Sequence, residues 1–191
     1  MSTLTEEQTA RIAETVNRMH LPKGLGTEEN ACSIAAINLA LTGKLTDEIP
    51  ECMSLVIGRW IITMQDAMPD ALRNSEEWKF ALVLSAGTGR DRALEVARFR
   101  LLNDWLSDTV LPTLQPLADK RGFGEPWRKM CESRRAADAA DAADAAYAAD
   151  AAYAARAARA AYAAYAADAA YWSEVDPAGV LLRLVEVTAA P

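Results

Sequence analysis

Hydrophobic residues recur along most of the chain at the three- and four-residue spacing that marks one face of an α-helix. The first such stripe follows Thr5–Gln8, which has the spacing of a capping box, and it predicts a helix over about 5 to 19. A second helix is predicted between the N-cap residue Thr27 and Gly43, because glycine commonly ends helices. No segment before position 173 has the two-residue alternation of a strand, so the pattern predicts an all-α fold.

The third predicted helix begins near Pro50 and has the broadest apolar stripe, so we expect it to be mostly buried. Gly58 within it would let a neighbouring segment approach closely. Another helix is predicted after Ser75, and the next should kink or end at Pro112 and Pro116, since proline lacks an N–H donor. The predicted core consists of Ile34, Leu41, Val56, Ile57, Trp60, Ile61, Leu102 and Trp105.

A tripeptide repeat of two alanines and one larger residue runs from Ala136 to Tyr171 and contains all five tyrosines of the protein. Alanine is the best helix former, so the repeat predicts one continuous α-helix about 54 Å long at about 1.5 Å per residue. The alternative is a long 3₁₀-helix, whose three residues per turn would place every larger side chain on one face. Slippage of a nine-base unit would also produce this period, and the repeat would then carry no function.

The repeat divides the chain into three predicted parts. These are a helical head domain at 1–133, the repeat helix at 134–172 and a short C-terminal segment at 173–191. The last part could form a helix or a strand, and Asp176-Pro177 favours the helix because it has the form of a helix start.

Composition and charge restrict the partners of this protein. The 191 residues are 51% hydrophobic, which is typical of a folded protein. Their net charge of −7 disfavours direct binding to nucleic acid. The most apolar window, SLVIGRWIITM, is too short to span a membrane and contains Arg59, and the N-terminus lacks a signal-peptide pattern. The three widely spaced cysteines predict no disulfide, zinc site or other metal site and favour a reducing cytoplasm. No motif predicts a cofactor.

Candidate catalytic chemistry is limited to one cysteine and two glycine turns. Cys32 lies near the start of the second predicted helix, where the helix dipole lowers a thiol pKa, and His20 is the only histidine. The nearby Glu28–Glu29 pair opposes a thiolate, which favours a buried thiol without function. GLGT at 24–27 and GTGR at 87–90 could present N–H groups to an anion. Neither matches a P-loop or a dinucleotide motif, so helix capping is the simpler interpretation.

The block that runs from GLGTEENACSIAAINLALTG to LPTLQPLADKRGFGEPW, within about residues 21–127, resembles a set of uncharacterised bacterial and prophage-associated proteins. The resemblance implies a bacterial or phage setting and assigns no catalytic residue.

These features favour a non-enzymatic structural or interaction protein, whose repeat helix packs closely against the head, against another copy or against a protein partner. One alternative is an acidic inhibitor or nucleic-acid mimic encoded by a phage or mobile element. Another is a small enzyme that uses Cys32. The predicted interaction residues are the larger residues of the repeat: Tyr147, Tyr153, Tyr162, Tyr165, Tyr171, Asp138, Asp141, Asp144, Asp150, Arg156 and Arg159.

Overall fold

The computed structural model describes residues 4–120, 124–125, 127–128, 131–132 and 169–188 of the chain. Throughout these residues the regular secondary structure is helical, and the predicted all-α fold is confirmed. Most of the predicted repeat helix lies outside the described residues, and so does the choice between α and 3₁₀ geometry. Only its last Ala-Ala-X unit is included, and that unit begins the α-helix Ala169–Val175.

The helices are named here in chain order. They are α1 (Glu6–Arg18), α2 (Ser33–Thr42), α3 (Leu55–Ala67), α4 (Asp70–Arg73), α5 (Glu76–Ser85), α6 (Arg92–Trp105), α7 (Leu111–Thr113), α8 (Gln115–Lys120), α9 (Ala169–Val175) and α10 (Pro177–Glu186). A π-helical segment, Leu106–Val110, joins α6 to α7.

The chain forms two compact units, and the first is built from both ends of the sequence. This head unit contains Met1–Leu101 and Asp176–Pro191, whereas the inserted unit is Leu102–Val175. These boundaries differ from the three parts predicted from the sequence, because α10 packs against α3 and α5 inside the head unit. The C-terminal segment is a helix, as the Asp176-Pro177 pair indicated.

Helix α2 lies at the centre of the head unit. Every side chain from Ala31 to Asn38 is buried, because small and apolar residues surround the helix axis here. Helices α1 and α3 both pack against α2. The buried amide of Asn38 donates hydrogen bonds to the carbonyl oxygens of Thr46 and Glu48, both at 2.8 Å, so this polar group is satisfied.

Local capping signals fix most helix ends. Thr5 and Gln8 form the predicted capping box of α1, and Ser75 caps α5. Gly43 ends α2 with a left-handed backbone, at φ 71°. The predicted start of α2 at Thr27 was wrong, because the Thr27 hydroxyl instead accepts the N–H of Asn30 within a turn.

The predicted core is correct for the residues nearest the centre of the head unit. Ile34, Ile57, Trp60 and Ile61 are buried. The remaining predicted core residues are only half-buried: Leu41, Val56, Leu102 and Trp105. The last two belong to the inserted unit, where the indole N–H of Trp105 donates to the carbonyl oxygen of Val175 at 3.1 Å.

The helix break predicted at Pro112 takes the form of a wider turn. The N–H of Leu111 donates to the carbonyl oxygen of Leu106, five residues earlier, which is the π-helical pattern. Proline has no N–H and its ring crowds the preceding turn, so an α-helix could not continue unchanged through this position.

We predict that Gly58→Ala destabilises the head unit. A Cβ atom at the buried Gly58 would lie 2.5–2.9 Å from three side-chain atoms of the half-buried Ile49. Overpacking of this kind costs about 1–3 kcal/mol, which urea unfolding would measure. Gly87→Ala is the matched control, since the nearest atom there is Leu4 Cδ1 at 3.8 Å. Equal losses for the two variants would contradict the prediction.

Candidate functional site

Cys32, the candidate nucleophile, is a buried helix cap. It is the N-cap residue of α2, and its Sγ accepts a hydrogen bond from the N–H of Ala35 at 3.4 Å. Burial raises the pKa of the Cys32 thiol above its ordinary value, and this effect outweighs the lowering by the N–H groups of Ala35 and Ile34. Because the thiolate is the nucleophilic form, a thiol that stays protonated is poorly reactive.

The observed contacts of His20 do not pair it with Cys32. The Nε2 atom of His20 lies 3.3 Å from Asp70 Oδ1, on an exposed surface, and the same carboxylate oxygen pairs with Arg73 at 2.9 Å. Next to Cys32, the side-chain oxygen of Gln65 accepts the N–H of Ser33. The described residues therefore supply no base for a Cys/His mechanism.

The GTGR turn at 87–90 is a structural junction. The N–H groups of Thr88 and Gly89 donate to the carbonyl oxygens of Ser85 and Cys52, at 3.3 and 2.8 Å. These donors are already bonded, so they are not available to an anion. The guanidinium of Arg90 also donates to backbone carbonyl oxygens, those of Ile49, Pro50 and Met53.

The GLGT turn at 24–27 is bonded in the same way. The N–H of Gly24 donates to Asp66 Oδ1 at 2.9 Å, and the N–H of Thr27 donates to the carbonyl oxygen of Asn30 at 2.9 Å. The turn contacts the start of α2, because the carbonyl oxygen of Leu25 accepts the N–H of the N-cap residue Cys32 at 3.0 Å. These bonds hold the turn to the helix end, which is a structural role.

A buried arginine that sequence analysis did not single out joins three segments of the head unit. Arg98 on α6 is 2% exposed. Its guanidinium donates to the carbonyl oxygen of Leu184 on α10 at 3.2 Å, and to those of Thr88 and Gly89 at 3.2 and 3.4 Å. Arg98 lies four residues after Leu94 and therefore on the apolar side of α6. A charged residue at this position was the sequence signal that could have indicated a buried arginine.

Glu95 balances the charge of this buried arginine. Its Oε1 atom lies 3.2 Å from Arg98 Nη1, and its Oε2 atom accepts the N–H of Val56 at 3.0 Å, in the first turn of α3. The cluster of Arg98 and Glu95 therefore connects α3, the GTGR turn, α6 and α10. The polar atoms of this cluster bond to one another and to the backbone, so the cluster stabilises the fold.

Among the predicted interaction residues of the repeat, the structure describes the side chain of Tyr171. It is 3% exposed, and its ring packs edge-on against that of Trp172, with centroids 5.2 Å apart. The other predicted interaction residues lie outside the described residues: Tyr147, Tyr153, Tyr162, Tyr165, Asp138, Asp141, Asp144, Asp150, Arg156 and Arg159.

Comparison of the chain with protein-family models, with curated proteins and with solved structures found no match. Over the residues that the structure describes, no group of three or more His, Cys, Asp or Glu side chains could hold a metal ion. No helix in the same residues is long and apolar enough to cross a membrane. The bacterial and phage setting implied by the sequence resemblance stays a prediction.

We predict that Cys32 reacts slowly with a thiol reagent such as dithionitrobenzoate in the folded protein. Burial limits access, and the raised pKa should displace the pH profile of the reaction above the ordinary thiol value of about 8.5. A Cys52→Ala, Cys131→Ala background isolates Cys32, and the same chain unfolded in urea is the control. A native rate equal to the unfolded rate would contradict the burial of Cys32.

Proposed function

We propose that the protein is a non-enzymatic structural or interaction protein, whose Ala-Ala-X repeat mediates close packing with another copy or with a protein partner. The proposal is carried by the position of the repeat in the chain. It lies within Leu102–Val175, between two parts of the sequence that fold together as one head unit. A segment inserted in this way can present residues to a partner while both of its ends stay attached to a folded body.

The bonding of the reactive groups supports a role without catalysis. The Cys32 thiol is buried with a raised pKa, and the N–H donors of the GTGR turn bond to carbonyl oxygens of the same chain. An enzyme needs an accessible nucleophile, acid or base beside the position of its substrate. The described residues of the head unit use these groups to stabilise the fold instead.

The chemistry of the repeat supports close packing. Alanine side chains let helix axes approach one another, and tyrosine supplies a large contact area with a polar tip. Each alanine buries little apolar area, so such a contact must be long to be stable. At the end of the repeat, Tyr171 is buried and packs against Trp172 of the same chain.

A cytoplasmic setting in bacteria or their phages goes with this proposal. It is supported by the three widely spaced cysteines, all of them buried, and by the sequence resemblance of the block within about 21–127. The net charge of −7 favours a protein partner over direct contact with nucleic acid.

Replacing Ala148, Ala151, Ala154 and Ala157 by Leu should weaken self-association or partner binding. The added methylene groups would overfill a close interface, at about 1–3 kcal/mol per site. Light scattering over a range of concentrations would measure self-association, and affinity capture from bacterial lysate would measure partner binding. The control variant, Asp138→Asn with Asp141→Asn, should behave like the parent, because these changes leave the alanine surface intact.

An unchanged oligomeric state and unchanged partner binding in the leucine variant would contradict the proposal and favour slippage as the origin of the repeat. Capture of a nucleic-acid-processing protein by the parent, lost in the asparagine variant, would support the acidic inhibitor instead.

A further inference from the structure

The outward side of α5 combines two exposed hydrophobic side chains with two carboxylates. Phe80 is 59% exposed and Leu84 is 41% exposed. Glu76 and Glu77 are exposed as well, and their spacing from Phe80 places them on the same side of the helix. These four residues form the acidic face of the head unit.

The outward side of α6 has the opposite charge. Arg92, Val96 and Arg100 follow one another at four-residue intervals, so they lie along one side of this helix. Both arginines are exposed, and Val96 between them is 45% exposed. The buried Arg98 points away from this side, toward α10. Arg92, Val96 and Arg100 form the basic face of the head unit.

The acidic face carries only negative charge, and the basic face carries positive charge as far as Arg100. The next residue of that row, Asp104, is exposed and negative, so the basic face ends at Arg100. Within each helix, a side chain of the other sign is bonded inside the head unit. On α5, Lys79 donates to the carbonyl oxygen of Met19 at 2.8 Å, near the end of α1. On α6, Glu95 pairs with Arg98 at 3.2 Å. Within the described part of the chain, the four charged residues of the two faces form no ion pair.

We propose that the acidic face of one copy docks against the basic face of a second copy. The two rows match in length, since 76–84 and 92–100 each contain nine residues, whose first and last lie about 12 Å apart along the helix axis. Val96 lies midway between Arg92 and Arg100. Phe80 can therefore pack on Val96 whether the two helices run parallel or antiparallel, and in both cases the glutamates lie opposite one of the two arginines. This contact uses residues of the head unit and none of the repeat. It therefore adds a second interaction surface to the one proposed for the repeat.

The expected contact is weak and sensitive to salt. A single pair of short helix faces buries less than the roughly 1,000 Å² of a stable interface, and its exposed charges are screened over about 10 Å at 0.1 M salt. Each copy carries one face of each kind. Two contacts related by a two-fold axis close a dimer, and a single contact per pair of copies leaves one free face on each for a further copy.

Charge reversal on the full chain tests this proposal. The Glu76→Arg, Glu77→Arg variant places positive charge on both faces, and the Arg92→Glu, Arg100→Glu variant places negative charge on both. Sedimentation velocity at low salt should show association about tenfold weaker or more for each variant alone. An equimolar mixture should associate like the parent, because oppositely charged faces meet again. Lys44→Glu, an exposed reversal outside both faces, should leave association unchanged.

Three results would overturn the proposal: a parent that stays monomeric at low salt, reversed variants that associate like the parent, or a mixture no stronger than its components. If association survives both reversals but is lost in the leucine variant of the repeat, this proposal fails while the proposed function stands. Thermal unfolding checks that each variant folds. Phe80→Ser, which reverses no charge, should also weaken association and provides a second test if a reversed variant does not fold.

Discussion

The arrangement of the head unit depends on one buried charged side chain, Arg98, which needs hydrogen-bond acceptors. Burying a guanidinium without hydrogen-bond partners would cost several kcal/mol of folding free energy, so the folded chain must supply acceptors around Arg98. Its acceptors come from the GTGR turn, from Glu95 on its own helix and from Leu184 on α10. These segments are fixed together because they satisfy the same group. Loss of any one would leave part of the guanidinium buried and unbonded.

This constraint explains why the C-terminal helix belongs to the head. Val180, Leu181 and Leu184 are fully buried in α10, so apolar contact and the Arg98 hydrogen bond hold the same helix. Arg73 has a related role, because it is 3% exposed and bonds the carbonyl oxygens of Leu21, Gln65 and Met68. Both buried arginines use backbone carbonyl acceptors to connect segments. The repeat consequently lies within a segment, Leu102–Val175, that is inserted between two parts of one fold.

Local signals in the sequence predicted the all-α fold, the caps at Thr5 and Ser75 and the close approach at Gly58, because each depends on a few neighbouring residues. The start of α2 was predicted wrongly, since a threonine can cap a turn as well as a helix. Cys32 was expected to be a buried thiol, and its burial is confirmed. The role of Arg98 could not be predicted, because its acceptor Leu184 is 86 residues away in sequence. The repeat residues that the structure does not describe stay predictions.

Native-state hydrogen exchange tests most directly whether α10 is an integral part of the head unit. The experiment compares the opening free energies of amide protons in α10 with those in the central helix α2, at increasing low concentrations of denaturant. If Arg98 and the buried side chains of α10 hold it as described, both helices should exchange only through global unfolding, with the same free energy and the same denaturant dependence. Exchange of α10 at a free energy several kcal/mol lower, while α2 stays protected, would contradict the account.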